Sequence, residues 1–491
     1  MASFDFDIGV IGGGPAGLTV ASGSAQLGAK TLLIEKESAL GGDCLHYGCV
    51  PSKTLIRSAQ VFSLMKRAGE FGLPEVSIQP VDFREVSNRI KSVIAVIQKH
   101  DSYDRFCKLG VRVEFGEPFF ADEHTLKLEG ERYTAGTWVI ATGSSAVIPP
   151  IAGLDKQSCI TNKEIFYLDK LPGSMIILGA GPIGVEMAQA FARLGTKIDV
   201  IDSAEQILPR EDGDMAEMAM GVLMAEGVQF HLNASVTAVK NHGMEKEVSL
   251  SDIISNANNA NVVSNTRSLR AEMLFVATGR SPNVQGLGLE SLGIDFDKKG
   301  IKVDDRLRTH HRHIYAAGDV NGILPFTHTA GYEGGVVITN AVFHLPRRVN
   351  YTYIPWCTYT DPELAGIGLT EKAAKDAGLD YTVWTEEFQH NDRCLAEGET
   401  VGRIKMLLDK RERPLGIQIL GHGAGELLSE WVAVINGKVK LSALAGAVVP
   451  YPTVAEINKK VVSNFFAGKI FSARVKKGLK FFFGFNGRAC G

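Results

Sequence analysis

A glycine pattern that occurs twice constrains this sequence more than any other feature. In each copy an apolar run leads into three glycines with G-x-G-x-x-G spacing, and a helical pattern follows. The glycines are Gly12, Gly14 and Gly17 in the first copy and Gly179, Gly181 and Gly184 in the second. A strand, a tight turn and a helix of this kind bind a pyrophosphate on backbone amides at the helix N-terminus. One copy alone is a weak signal, whereas two with the same surroundings are a strong one.

An acidic residue completes each copy. Glu35 and Asp202 each lie 23 residues after the first glycine of their copy, directly after a second apolar run. An acid in this position accepts a hydrogen bond from a ribose hydroxyl of a dinucleotide. The sequence therefore predicts an α/β protein with two Rossmann-like nucleotide-binding domains.

Residues 41–53 (GGDCLHYGCVPSK) contain two cysteines that we interpret as a redox-active disulfide. In a regular helix Cys44 and Cys49 would point about 140° apart, so the bridge needs a distorted turn, for which the glycines supply backbone freedom. Pro51 fits the first turn of a helix. Cys49 is thus expected at or beside a helix N-terminus, where the helix dipole favours a thiolate. The alternatives are two buried cysteines or half of a zinc site, but zinc needs four ligands and no second pair is present.

Composition limits the other function classes. Glycine makes up 53 of 491 residues, about 11% against an average of about 7%, and with 45% apolar residues this excess favours tight loops over disorder. The formal net charge of −3 gives no indication of a nucleic-acid partner. Seven scattered cysteines do not form a secreted disulfide framework. Without an apolar run of about 18 residues or a signal segment, we expect a cytoplasmic location.

The cysteine segment and the two glycine patterns resemble the flavin-dependent pyridine nucleotide–disulfide oxidoreductases of the glutathione reductase, lipoamide dehydrogenase and mercuric reductase type. The resemblance covers nearly the whole chain to about residue 467. It implies that Cys44 is the interchange thiol, which meets the substrate, and that Cys49 faces the flavin. It also implies an ion pair between Lys53 and Glu186 beside the flavin, where the positive charge stabilises the reduced, anionic ring. The alternative is that both are solvated charges on helix surfaces.

The resemblance also implies the cofactors. The first glycine pattern would hold FAD and the second a nicotinamide nucleotide, so that Glu35 and Asp202 bind the respective riboses. Asp202 would repel a 2′-phosphate, and residues 203–205 supply no arginine, so we predict NAD(H) over NADP(H). Asp319 is expected to bind the ribityl chain of FAD, with turn capping as the alternative. The further cofactor-binding candidates are Gly42, Thr142, Gly143, Gly279, Arg280 and Gly318.

The predicted domain order follows that of the family. It comprises residues 1–146 as the first part of the FAD-binding domain, 147–277 as the NAD(H)-binding domain, 278–349 as the second part of the FAD-binding domain, 350–467 as a C-terminal α+β dimerisation domain, and 468–491 as a basic amphipathic tail. We expect a homodimer whose active site is completed across the interface.

The C-terminal domain departs from the pattern of the disulfide-reducing members. Those enzymes place a histidine before Pro-Thr and a glutamate five residues later, as a general acid–base pair; here the residues are Tyr451 and Glu456. An unperturbed tyrosine has a pKa of about 10, against about 6.5 for histidine. Tyr451 can donate a hydrogen bond but is a poor proton shuttle at neutral pH. A tyrosine here resembles mercuric reductases, as does Cys490, although those enzymes carry two adjacent tail cysteines. Cys490 is thus a candidate thiol relay or an inert thiol.

Residues 468–491 are basic, contain no acidic residue and carry apolar residues at helical spacing. This basic amphipathic helix could lie on an anionic membrane surface, which would make the protein membrane-peripheral. Alternatively, its apolar face packs on the protein's own dimer.

The leading hypothesis is an NADH-dependent flavoenzyme that passes electrons through FAD to the Cys44–Cys49 pair. The final acceptor would be a small disulfide, a lipoyl group, a persulfide or a thiol-bound metal ion. An alternative with the same fold sends electrons from the flavin to a membrane quinone. A third treats the chain as a flavin-bearing structural or signalling protein with little turnover, which the cysteine motif and Lys53 argue against.

Overall fold

The computed structural model describes residues 4–255, 261–485 and 487. In chain order, the strands are β1 (Phe6–Ile11), β2 (Thr31–Glu35), β3 (Val111–Phe115), β4 (Phe119–Phe120), β5 (Thr125–Leu128), β6 (Glu131–Ile140), β7 (Ser144–Ala146), β8 (Ser174–Leu178), β9 (Lys197–Ile201), β10 (Gln229–His231), β11 (Ala234–His242), β12 (Glu245–Ser255), β13 (Asn261–Ala271), β14 (Met273–Val276), β15 (Arg280–Pro282), β16 (Phe296–Asp297), β17 (Gly300–Ile301), β18 (Ile314–Ala316), β19 (Trp356–Thr358), β20 (Glu363–Gly368), β21 (Thr382–Glu387), β22 (Arg403–Leu408) and β23 (Pro414–Gly421). The α-helices are α1 (Pro15–Gln26), α2 (Gly42–His46), α3 (Cys49–Lys66), α4 (Phe83–Gln98), α5 (Tyr103–Lys108), α6 (Pro182–Leu194), α7 (Gly213–Ala225), α8 (Thr327–Ala341), α9 (Glu371–Asp376), α10 (Asp392–Glu397), α11 (Ala424–Asn436), α12 (Leu441–Gly446), α13 (Glu456–Ile470) and α14 (Ala473–Phe483).

The first glycine pattern lies in a mostly parallel sheet. Its strand order is β3-β2-β1-β6-β5-β4, with β18 also paired to β6. Strands β1, β2, β3, β6 and β18 run parallel to one another. Strand β5 pairs antiparallel with β6, and β4 pairs antiparallel with β5. Every residue of β2 is buried, as expected for a parallel strand that is covered on both faces. On one face Val10 and Leu33 pack with Val336 of α8.

The second glycine pattern repeats the arrangement of the first. Strands β10, β9, β8 and β14 form a parallel sheet in that order, and α6 connects β8 to β9 as α1 connects β1 to β2. Pro15 and Pro182 occupy the first helical position of α1 and α6, where the missing N–H needs no partner. The two Rossmann-like folds predicted from the sequence are therefore present.

Two short strands join the regions around these sheets. Strand β7 follows β6, strand β15 follows β14, and the two pair antiparallel, with Ser144 opposite Pro282. A three-stranded antiparallel sheet, β11-β12-β13, lies in the same part of the chain and precedes β14.

The C-terminal region forms a separate core. Strands β19-β20-β23-β22-β21 make a five-stranded antiparallel sheet, covered by α11 and α13. Trp431 of α11 is fully buried, and its indole N–H donates to Asn458 Oδ1 of α13 at 2.8 Å. This bond satisfies a polar group that would be costly to bury alone.

The chain divides into two compact units. One comprises Met1–Ile207 with Met224–Asn350, and the other comprises Leu208–Leu223 with Tyr351–Gly491. The segment Leu208–Leu223, inside the predicted NAD(H)-binding range, thus groups with the C-terminal residues. The reason is polar contact: Glu211 accepts hydrogen bonds from Trp356 and Gln418, at 2.7 and 2.8 Å.

The tail forms the predicted helix. Ser472 caps α14 by accepting a hydrogen bond from the N–H of Val475, and no residue of this helix is buried. Cys490 lies outside the described residues. Within the described part of the chain, none of the helices has the length and apolar character needed to cross a membrane.

Candidate redox site

The acidic residues of the two glycine patterns occupy equivalent positions. Glu35 accepts hydrogen bonds from the N–H groups of Gly13 at 2.6 Å and Glu37 at 2.8 Å. Asp202 does the same with Ala180 at 2.6 Å and Ala204 at 2.8 Å. Each carboxylate is thus held against its glycine loop, and its remaining lone pairs can accept from a ribose hydroxyl.

The glycines leave room where a pyrophosphate would lie and none where the helix meets the strand. Gly14 and Gly181 are the N-caps of α1 and α6, and a Cβ on either would meet no atom closer than 4.0 Å. A Cβ on Gly17 or Gly184 would lie 1.8 Å from the carbonyl oxygen of Gly12 or Gly179, respectively. Both loops therefore fit a dinucleotide bound by backbone amides. We expect Gly12, Gly14, Gly17 and Glu35 to hold FAD.

Gly17→Ala and Gly184→Ala are expected to separate the two nucleotide sites. The added methyl group meets a backbone carbonyl, which cannot move aside as a side chain can. Purified Gly17→Ala should lose bound FAD, as measured by its absorbance, whereas Gly184→Ala should keep FAD and bind NADH at least about tenfold more weakly by titration calorimetry. Gly221→Ala in α7, with no atom within 4 Å of the new Cβ, is the control that should leave both sites intact. Equal FAD content in Gly17→Ala and the control would contradict this steric account.

The two cysteines lie on adjacent helices. Cys44 is in the short helix α2 and is half-buried, and Cys49 is the first residue of α3, as the sequence predicts. Gly41 has a φ of 113°, a left-handed conformation that favours glycine, and supplies the distorted turn before α2. Both cysteines are free thiols in the structure, which corresponds to the reduced form of the predicted redox-active pair. The two thiols act on each other, since each is the largest influence on the pKa of the other.

The electrostatic environment makes Cys49 the thiolate of the pair. The hydrogen bond from the Cys44 thiol is the largest cause that lowers the pKa of Cys49, to about 6. Desolvation of the thiolate raises the pKa of Cys49, whereas the Thr327 hydroxyl and the Lys53 charge lower it further. Thr327 Oγ1 lies 3.3 Å from Cys49 Sγ. The same hydrogen bond and burial raise the pKa of Cys44 far above its usual range, so one proton is shared and Cys44 holds it.

Lys53 and Glu186 form an ion pair between helices α3 and α6. Lys53 Nζ of α3 lies 2.9 Å from Glu186 Oε2 of α6, and the carboxylate side chain is 7% exposed. The interpretation of both as solvated surface charges is therefore wrong. The ammonium group also acts on Cys49 one helical turn earlier, since its charge lowers the pKa of that thiol.

The other cofactor-binding candidates converge on one polar network. Thr142 Oγ1 donates to the carbonyl oxygen of Asn283 at 2.7 Å, beside Gly143, whose φ is +68°. Ser144 Oγ donates to Asp319 Oδ2 at 2.6 Å, directly after Gly318. Arg280, which follows Gly279, donates to Ser144 Oγ and to its carbonyl oxygen, at 2.7 Å in both cases.

The same arginine reaches the redox segment. Arg280 lies 3.2 Å from Asp43 Oδ2, and Asp43 Oδ1 accepts from Asn162 Nδ2 at 3.0 Å. The hydroxyl of Tyr167 donates to the carbonyl oxygen of His46 at 2.6 Å. These bonds hold α2 in place directly beside Cys44. Sequence analysis missed Asp43, Asn162, Tyr167 and Thr327 because long-range contacts leave no local pattern; only the unusual acid next to Cys44 is a visible signal.

Tyr451 and Glu456 have different hydrogen-bond partners. Tyr451 is 70% exposed and donates to Asp392 Oδ2 at 2.8 Å, which raises the pKa of its phenol. Glu456 begins α13 and accepts from the N–H of Thr453 at 3.3 Å. Tyr451 is thus an even poorer proton donor than a free tyrosine, as a bond to a carboxylate stabilises the neutral phenol.

One group of side chains in the described part of the C-terminal unit has metal-ligand geometry. Ligand atoms of Asp361, Glu399 and His422 all lie within 4.8 Å of one another. Exposed or half-buried carboxylates beside a histidine also occur as plain ion pairs, and nothing further in the structure assigns this group a role.

Comparison with known proteins decides the family. Residues 6–334 match the family described as pyridine nucleotide-disulphide oxidoreductase, and residues 354–462 match the dimerisation domain of the same family. The chain belongs to this family. The α/β fold with a nucleotide-binding part and a C-terminal dimerisation domain is thereby confirmed, as is the resemblance to lipoamide dehydrogenase and mercuric reductase.

Relatives in this family include enzymes with different acceptors. The chain is 32% identical to dihydrolipoyl dehydrogenase of Bacillus subtilis, over 91% of this chain and 96% of that protein. It is 31% identical to mercuric reductase of Bacillus cereus, over 94% of this chain and 72% of that protein. Among solved structures, the HOCl-induced flavoprotein disulfide reductase RclA from Escherichia coli matches with a TM-score of 0.82 and 28% identity, over 93% of this chain and 99% of that one. A Cu(II) complex of RclA matches with a TM-score of 0.82 and 27% identity, over 94% of this chain and all of that one.

Membership of the family makes the chain an FAD- and pyridine nucleotide-dependent oxidoreductase, and the dimerisation domain supports a homodimer. The relatives share a nucleotide-binding part and differ in their named acceptors. Family membership therefore leaves the acceptor to be inferred from this chain's own residues.

Proposed function

We propose that this protein is an NADH-dependent flavoprotein reductase that delivers electrons through Cys44 and Cys49 to a sulfur-containing or thiol-bound metal acceptor. The observation that supports this most directly is the position of Cys49 at the start of α3, 3.3 Å from Thr327 Oγ1 and one turn before Lys53, in surroundings that lower its pKa. Gly12, Gly14, Gly17 and Glu35 would hold FAD, which would supply two-electron transfer from NADH to the Cys44–Cys49 disulfide. The acceptors in question are a small disulfide, a lipoyl group, a persulfide, or a metal ion bound to thiols, the last in keeping with the mercuric reductase relative and the Cu(II) complex of RclA.

For a disulfide acceptor the thiols act in sequence. The proton of Cys44 moves to Cys49, and the Cys44 thiolate then attacks one sulfur of the acceptor. One acceptor thiolate leaves and takes up a proton. Cys49 then loses its proton and attacks Cys44, which releases the second acceptor thiol and restores the Cys44–Cys49 disulfide. Two electrons thus leave the cysteine pair and reduce one acceptor disulfide to two thiols.

We propose that Tyr451 of the partner subunit lies near Cys44 and that Glu456 supports it. The hydrogen bond to Asp392 holds the phenolic proton on Tyr451 at neutral pH. A phenol in this state can orient a bound acceptor by a hydrogen bond but gives up its proton poorly. This favours an acceptor whose departing sulfur is already a stable thiolate, such as a metal-bound or persulfide sulfur.

An acceptor screen with three proteins tests the proposed function. The wild type, Cys44→Ala and Tyr451→His would each be mixed with NADH and, separately, a small disulfide, a lipoamide, a persulfide, a thiol-bound metal ion and a soluble quinone. We expect Cys44→Ala to lose at least about 10³-fold in turnover with every sulfur-linked acceptor. Tyr451→His should gain activity with the small disulfide, because histidine titrates near neutrality. If Cys44→Ala keeps its turnover with the quinone and with no other acceptor, the quinone alternative is favoured. If the wild type turns over none of the acceptors, a non-enzymatic role is favoured.

We propose that NADH is the preferred donor and that Asp202 enforces this. Its carboxylate is fixed against the second glycine loop, where it would repel a 2′-phosphate. We expect kcat/KM for NADH to exceed that for NADPH by about 100-fold, because like charges in contact cost several kcal/mol. Asp202→Ser should reduce the ratio of kcat/KM for NADH to that for NADPH. Glu35→Gln, which changes the equivalent acid of the first loop, should leave this ratio unchanged. Equal use of NADPH by the wild type would refute the assignment.

A further inference from the structure

The C-terminal helix α14 has two faces of opposite character. With successive residues 100° apart around an α-helix, Val475, Leu479, Phe482 and Phe483 fall on one arc. Arg474, Lys477 and Lys480 fall on the opposite side, and Lys476 lies at the boundary between the two sides. Such a division favours a helix that lies at a boundary between an apolar and an anionic phase.

The apolar side chains of this helix are exposed. On the apolar arc the exposed fractions are 39% for Val475, 36% for Leu479, 76% for Phe482 and 69% for Phe483. Phe481 lies on the basic side and is 83% exposed, and Phe471 and Phe485, on either side of the helix, are 67% and 58% exposed. A cluster of aromatic rings of this size on a monomer marks an interaction surface rather than a chance exposure. Phenylalanine and leucine are typical of the apolar face of a helix that lies in the membrane interface.

The basic side chains of α14 are not neutralised by acidic neighbours among the described residues. None of Arg474, Lys476, Lys477 and Lys480 forms an ion pair within the described residues, and no acidic residue follows Glu456. The whole chain carries a formal net charge of −3, whereas this segment, which has no acidic residue, carries a local positive excess. An overall acidic protein is repelled by an anionic membrane except where such a segment faces it.

We propose that α14 binds the surface of an anionic phospholipid membrane, with its phenylalanines inserted between headgroups and its basic side chains on the phosphates. The helix lies in the interface and does not span the bilayer. This proposal does not rest on the proposed function, because it concerns binding only. It would bring the protein to a membrane surface whatever its acceptor.

The test uses full-length protein with bound FAD and sedimentation with vesicles. We expect binding to vesicles of phosphatidylcholine mixed with phosphatidylglycerol to exceed binding to pure phosphatidylcholine by at least about tenfold, and to fall as salt is raised. The triple change Lys476→Gln, Lys477→Gln and Lys480→Gln should weaken it by about 100-fold, at about fivefold per charge. The matched control changes three exposed lysines elsewhere, Lys108, Lys298 and Lys372, to glutamine and should bind as the wild type does.

A second variant separates membrane binding from self-association. Phe482→Ser with Phe483→Ser should abolish vesicle binding while the FAD content, the rate of flavin reduction by NADH and the molecular mass by light scattering stay unchanged. A fall in molecular mass in this variant would show that the helix packs on a second copy of the chain, and would overturn the proposal. Binding that does not depend on phosphatidylglycerol, or no binding at all, would overturn it as well.

Discussion

Reduced Cys44→Ala protein is expected to hold far less Cys49 thiolate at pH 7 than the wild type. A pKa of about 6 means that roughly 90% of Cys49 is ionised at pH 7. The hydrogen bond from Cys44 is the largest cause of this low pKa, and alanine removes it. Desolvation, which favours the neutral thiol, is then opposed by the Thr327 hydroxyl and the Lys53 charge. We expect the pKa of Cys49 to rise by about two units, so that about a tenth of it is ionised.

The rate of alkylation by iodoacetamide, followed by mass spectrometry of the Cys49 peptide, measures this pKa. Because the folded pKa lies below the usual thiol value, the reactive thiolate is present above pH 6 and is lost as the pH falls through that value. Cys44→Ser is the matched control, since its hydroxyl can still donate to Cys49, and its midpoint should stay within about one unit of the wild type. A midpoint near 6 in Cys44→Ala would show that Thr327 and Lys53 suffice, and that Cys44 does not set the pKa of Cys49.

Lys405→Met is expected to destabilise the C-terminal unit strongly. The Lys405 side chain is 4% exposed, and its ammonium lies 2.7 Å from Glu371, 3.0 Å from Asp214 and 3.1 Å from Asp212. Burial disfavours its charge, but the three carboxylates outweigh burial and raise the pKa of Lys405 above its usual value. Without the ammonium, three carboxylates face one another, and one of them, Asp212, is buried.

Breaking a buried ion pair by removing one partner costs about 3–5 kcal/mol, and urea unfolding followed by tryptophan fluorescence would measure the loss. Lys410→Met is the control, because Lys410 and its partner Asp380 are 78% and 72% exposed. The control should change stability by less than about 0.5 kcal/mol. Equal effects of the two substitutions would mean that the buried cluster does not hold Leu208–Leu223 to the C-terminal sheet.

Some features of the site could be predicted from the local sequence, and one only from the resemblance to a family. The glycine loops were predictable because close approach of a helix to a strand excludes any Cβ, as the 1.8 Å separations at Gly17 and Gly184 show. The position of Cys49 at the start of α3 followed from the proline two residues later and the preceding glycine. The partnership of Lys53 with Glu186, 133 residues apart, came only from resemblance to a family.

Other features had no signal in the chain. Thr327 lies 278 residues from Cys49, and nothing around it indicates a thiol partner. The bond from Tyr451 to Asp392 was equally hidden, although it changes how Tyr451 can act. The membership of Leu208–Leu223 in the C-terminal unit ran against the order of the domains along the chain.

The sequence by itself determined the elements that local sterics and periodicity dictate: two strand–turn–helix loops, the spacing of the thiols, the helix start at Cys49 and the amphipathic tail. The tertiary structure alone decided which thiol carries the charge and where the buried ion cluster forms. The physical reason is range. Backbone conformation responds to neighbours within a few positions, whereas a pKa or an ion pair depends on every charge and hydrogen-bonding group within a few ångströms, whichever part of the chain supplies it.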